Sequence, residues 1–159
     1  MNKLNTKKGF TIIEVVLVLA IAGLIFLMVF IALPALQRNQ RDTQRKNDLS
    51  RVQSAINSFQ ANNRGNVPTL AQAQSTLLTS YLRTGGDQFQ DPAGANYTFV
   101  GGTVGTLPAA FGATGHTVGA ISYFTNARCN GENTTAGGGA NKVAVSIALE
   151  GGGVYCLNN

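Results

Sequence analysis

The chain has 159 residues, with 12 Lys and Arg against 7 Asp and Glu, a formal charge of +5 and 12% charged residues. That length suits one ordinary domain, but Val15–Leu33 (VVLVLAIAGLIFLMVFIAL) is an unbroken apolar run, which leaves only residues 50–159 for a soluble core. The positive charge flanks that run. Lys3, Lys7 and Lys8 precede it, and Arg38, Arg41, Arg45, Lys46 and Arg51 follow it, offset by Asp42 and Asp48. From residue 52 onward, Arg64, Arg83, Arg128 and Lys142 balance Asp87, Asp91, Glu132 and Glu150. The basic balance therefore belongs to membrane flanks, which argues against a nucleic-acid footprint.

The run is long enough to cross a hydrocarbon core of about 30 Å as a helix. Ala20-Ile21-Ala22 has the letters of a signal-peptidase site, but the apolar run continues past it to Leu33, unlike a cleaved signal peptide, and no lipobox cysteine is present. Glu14 stands at the edge of the run. A carboxylate near lipid is costly and is expected to have a partner and a function. It follows a very short basic leader and the tripeptide Lys8-Gly9-Phe10.

The segment KGFTIIEVVLVLAIAGLI resembles the class III leader junction and N-terminal segment of type IV prepilins and pseudopilins. The resemblance implies that a prepilin peptidase cuts between Gly9 and Phe10 and methylates the new amine of Phe10. Loss of Lys3, Lys7 and Lys8 then lowers the formal charge from +5 to about +2. It further implies that Glu14 neutralises the Phe10 amine of a neighbouring subunit or its own, and so sets axial register. Low dielectric makes either charge expensive alone, and the helix N-terminus suits a carboxylate. Thr11 is expected to hydrogen-bond locally. Lys and Arg number three before the run and five after it, so the positive-inside rule does not orient the chain. The leader resemblance and the two cysteines place the N-terminus inside and the C-terminus outside.

Gly23 and Pro34 interrupt the apolar helix. Type IV pilins commonly carry a glycine and a proline here, and the stretch between them can unwind in the filament. Pro34 lies three residues beyond the usual position, at Ile31, so a melted segment and a simple kink both stay open. Residues 37–48 (QRNQRDTQRKND) contain no apolar residue. Arg38 with Asp42, Asp42 with Lys46 and Asp48 with Arg51 have helical spacing, which predicts a solvated helix face. Leu49, Val52, Ile56 and Phe59 then form an apolar stripe, and Asn62–Asn66 end the helix.

In the remainder, Pro68-Thr69-Leu70-Ala71-Gln72 predicts a helix start with capping-box spacing between Thr69 and Gln72, an apolar face of Leu70, Leu77, Leu78, Tyr81 and Leu82, and a stop at Gly85-Gly86. Asp91-Pro92-Ala93-Gly94-Ala95-Asn96-Tyr97 predicts a turn into a strand over 97–100. This turn resembles that of major pseudopilins and of Gram-positive pilins. Residues 101–119 read as loop, 120–126 as a strand, and 128–141 as a loop. Val143, Val145, Ile147 and Leu149 alternate as a half-buried strand does, and Gly151-Gly152-Gly153 reverses the chain into Val154–Leu157. Cys129 and Cys156 are expected to form a disulfide if this part is exported, contributing roughly 3–4 kcal/mol. In type IV pilins a bridge at this place bounds the variable surface region.

Enzyme chemistry finds no support. His116 has no ligand partner at zinc spacing and reads as a solvent-exposed spacer. No paired acids, nucleophile elbow or phosphate-binding loop occurs, so no catalytic residue, metal ligand or cofactor is assigned. The sequons at Asn96 and Asn133 read as chance. The expected organisation is a leader over 1–9, a transmembrane and filament-core helix over 10–36, an amphipathic helix over 37–62, and an exported domain over 63–159. The expected fold is α+β, a long N-terminal helix packed on a small antiparallel sheet. The resemblance implies a homopolymeric helical filament that starts in the inner membrane. Its partners would be the prepilin peptidase and a pilus assembly platform and motor, and it would become an extracellular pilus. Adhesion, twitching motility or DNA uptake would belong to that filament, with nucleic acid no partner of the single subunit. A major pseudopilin of a secretion system and a non-polymerising membrane-anchored binding protein are the alternatives.

Overall fold

A computed structural model describes residues 9–159; Lys3, Lys7, Lys8 and the rest of residues 1–8 lie outside the described residues. The chain divides into two compact units, Met1–Gln37 and Arg38–Asn159. Helix α1 (Ile12–Asn62) contributes to both.

In the first unit, Thr11 begins the helix. Its Oγ1 accepts from the Glu14 backbone N–H at 3.4 Å, which satisfies one of the donors that a helix start leaves unpaired. α1 is long and apolar enough to cross a membrane, and none of its most apolar window is buried. Gly23 and Pro34, where the sequence leaves a melted segment and a simple kink both open, lie inside helix α1. The proline removes one N–H, which leaves only the Phe30 carbonyl without its i+4 donor, and every other rung of the ladder can persist around it.

The second unit is α+β, with its half of α1 packed on a small sheet. Leu49, Val52, Ala55, Ile56 and Phe59 form the buried stripe of α1, as their spacing predicts. α2 (Leu70–Gln72) carries both halves of the predicted capping box: Thr69 Oγ1 accepts from Gln72 N, and Gln72 Oε1 accepts from Thr69 N. It continues as a π-helix over Ala73–Leu82, closed by Arg83 N donating to Leu78 O at 2.8 Å. Ala73, Leu77, Leu78 and Leu82 are buried. Their spacing needs a turn wider than 3.6 residues to share one face, which i→i+5 bonding supplies.

The strands are β1 (Thr98–Gly101), β2 (Ala120–Thr125), β3 (Ala127–Asn130), β4 (Asn133–Ala136), β5 (Val143–Ala148) and β6 (Val154–Asn158). One sheet has the order β1-β2-β5-β6, and β3-β4 is a separate hairpin. Three expectations are corrected. The sheet is mixed, because β1 pairs with β2 in parallel; residues 102–119 are long enough for the crossover that parallel pairing requires. The stretch 128–141 is not all loop, since it holds most of the β3–β4 hairpin, whose polar Asn- and Thr-rich strands lack an apolar alternation. β5 is buried on both faces rather than one. Val143, Val145 and Ile147 join the α1 core, while Ala144 packs in a second cluster with Phe124 and Ala127 on the other face. Gly102 permits this second layer, since a Cβ there would lie 2.2 Å from the Phe124 ring.

Candidate functional site

The expected processing and assembly residues lie in the first unit. Gly9 and Phe10 precede α1, and Phe10 is 85% exposed. Phe10 and Glu14 line one groove with Val15, Val18 and Leu19, so one helix face presents the residue that follows the expected cleavage and the carboxylate. Thr11 is brought into the same turn by its bond to Glu14 N. Ile12, Ile13, Leu24, Phe26, Met28, Phe30 and Ile31 are each more than half exposed. Burial of such side chains is worth about 1.5–3 kcal/mol each, so this face requires lipid or other chains around it.

In the second unit the disulfide is formed. Cys129 and Cys156 are joined with Cα atoms 5.8 Å apart, which ties β3 to β6 in the part expected to be exported. His116 is not a bare spacer: it is half-buried, its ring 4.6 Å from that of Phe111.

A charged cluster was missed by the sequence reading, which assigned residues 37–48 to a solvated face. Arg45 is fully buried. Its Nε donates to Asp91 Oδ2 at 2.7 Å and its Nη2 to Asp91 Oδ1 at 2.9 Å. Its Nη1 donates to Asp42 Oδ1 at 2.9 Å and to Glu150 Oε2 at 3.3 Å. Arg41 holds Glu150 in a two-pronged pair at 2.7 and 2.6 Å. Asp42 also accepts from the backbone of Glu150 at 2.8 Å and of Gly151 at 2.7 Å, at the β5–β6 turn. Tyr97 donates to Asp48 at 3.1 Å, and Arg51 pairs with Asp48 and Asp87. The Asp91-Pro92-Ala93-Gly94 turn therefore serves as a mount for a carboxylate, which its own Ala93 N–H also steadies at 2.8 Å. The i, i+3 spacing of Asp42, Arg45, Asp48 and Arg51, in register with the apolar stripe, is the one signal that pointed inward.

The ionisation equilibria follow this geometry. The Arg41 hydrogen bond, with help from Arg45, pulls Glu150 down to about 2. Burial acts to lower Arg45, but its bonds and attraction to Asp91, then its bonds to Asp42 and Glu150, outweigh that and raise it. Burial raises Asp48 against the opposing bond from Tyr97 and the pull of Arg51. Burial and the Asp48 charge raise Tyr97. These groups are satisfied by one another, and the cluster is a structural joint between α1 and two turns. No group of three or more His, Cys, Asp or Glu able to hold a metal occurs among the described residues.

Residues 4–30 match the family described as the prokaryotic N-terminal methylation motif. No curated protein and no solved structure matches the chain. The chain carries the class III leader of type IV pilins and pseudopilins, and the exposed helix that follows it has the form such a leader precedes.

Proposed function

We propose that the chain is the structural subunit of an extracellular type IV pilus, cut between Gly9 and Phe10, methylated at Phe10, and polymerised through its N-terminal helix. The observation that carries this reading is the methylation motif over residues 4–30, running into a helix whose apolar residues are exposed while Phe10 and Glu14 share one groove. The subunit would start in the inner membrane, N-terminus in and C-terminus out, and reach the surface by a prepilin peptidase and an assembly platform and motor. Adhesion, motility or DNA uptake would be properties of the filament. In this reading Glu14 neutralises the Phe10 amine, and the Gly23–Pro34 stretch is where the helix loosens on packing. The Asp91–Gly94 turn favours a second reading, a major pseudopilin of a secretion system.

The test is an intact mass, without reduction, on material sheared from the cell surface. A chain that starts at methylated Phe10, two hydrogens light, and sits in filaments supports the pilus. A processed chain found only in membranes supports the pseudopilin. A chain that retains residues 1–9 overturns both.

A further inference from the structure

Segment 102–119 roofs the sheet face that points away from α1. Beneath it is a cavity of about 250 Å³. Its floor is Val100, Ala120, Ser122 and Ala148, and its roof includes Pro108, His116 and Thr117. The segment is also held beyond the cavity, where it reaches round to α1 and to β4. Phe111 lies over the Arg45 guanidinium at 4.6 Å and against His116, and Gly105 N donates to Thr134 Oγ1 at 3.2 Å.

Two features distinguish this cavity from a packing gap. Its polar lining is unspent: among the described residues, no hydrogen bond in the chain uses the side chains of His116, Thr117 or Ser122. Ser146, 1% exposed, has a buried Oγ with no partner. Ser146 alternates with Val145 and Ile147, which face α1, so it points to the cavity side. Its cross-strand partner is Ser122, and the partner of Ser122 on β1 is Val100. A buried hydroxyl left unpaired calls for a partner. Here the side chains of His116, Thr117 and Ser122 offer both donors and acceptors to the cavity, and Ser146 stands one strand behind Ser122.

We propose that this cavity binds a small neutral polyol, with a single sugar ring as the largest occupant. No carboxylate, lysine or arginine lines it, which disfavours an ionic ligand. The volume is below that of drug-sized sites and equals the bulk share of about eight waters. The apolar patches on floor and roof suit the C–H faces of a ring, while hydroxyls and imidazole suit its rim. The inference is independent of how the N-terminal helix assembles.

The experiment is a titration of the ¹⁵N-labelled full-length chain, in micelles of a zwitterionic detergent with no sugar headgroup, with glucose, galactose and mannose separately. Saturable amide shifts at Thr117, Ser122 and Ala148 are expected with at least one sugar, with a dissociation constant on the order of 1 mM. Ser122→Ala, which removes a lining hydroxyl without enlarging the side chain, is expected to weaken binding about tenfold. The proposal is overturned by the absence of saturable shifts at about 50 mM of every sugar, by shifts that map elsewhere, or by affinity unchanged in Ser122→Ala.

Discussion

Two stretches of one helix behave in opposite ways. Residues 12–36 are apolar and exposed; residues 41–52 are rich in charge, yet Asp42, Arg45 and Asp48 are buried. Polarity does not decide burial here; the partner does. The first stretch meets no apolar partner among the described residues, and lipid or other chains are the partners that would cover it. The second meets Asp91, Glu150 and the β5–β6 turn, whose charges and N–H groups fit its own. In the proposed reading one stretch serves association and the other holds the domain together, and substitutions in the two should separate these effects.

The largest expected effect is in the second stretch. Arg45→Ala leaves Asp42, Asp91 and Glu150 facing one another, and breaking a buried ion pair costs about 3–5 kcal/mol. Denaturant unfolding of the full chain should show that loss, and a change under about 1 kcal/mol would mean that the cluster contributes little. Next is Cys156→Ser, expected to cost roughly 3–4 kcal/mol through loss of a bridge whose cysteines are 27 residues apart. Equal thermal midpoints with and without reductant would refute it.

Acid should act on the same stretch. Glu150 is held below its ordinary value, so it titrates lower folded than unfolded. Its contribution is complete above the usual glutamate range and is lost as pH falls toward about 2. The midpoint of thermal unfolding should fall between about pH 5 and pH 2, and by less in Glu150→Gln; parallel curves would remove Glu150 from the account. The smallest effect on stability belongs to the first stretch. Glu14→Ala should leave unfolding of the domain within about 0.5 kcal/mol, while the yield of sheared filaments drops. Normal filaments in that variant would end the register role proposed for Glu14.

What could be read from the chain was local. The capping box at Thr69 and Gln72, the stripe from Leu49 to Phe59 and the hairpin over 143–158 each declare themselves within a few residues. The bridge was legible because two cysteines allow one intrachain pairing. The methylation motif was legible because Gly9, Phe10 and Glu14 stand together. The Arg45 cluster was not, since Asp91 and Glu150 lie 46 and 105 residues away and solvated helix pairs look the same in sequence. Nor was the parallel β1–β2 pair, which depends on where a long Gly-rich crossover returns. The cavity under segment 102–119 was hidden for the same reason.

The Arg45 cluster can also be regarded as a mechanical joint. A pull applied along α1 at residues 38–41 reaches Arg41, Asp42 and Arg45 before it reaches the apolar stripe at Leu49–Phe59. The ion pairs take the load in shear, and they divide it between two anchor points, the β5–β6 turn through Glu150 and Gly151 and the turn leading into β1 through Asp91. Tension is thereby spread over several strands, and the hydrophobic core behind the joint is strained last.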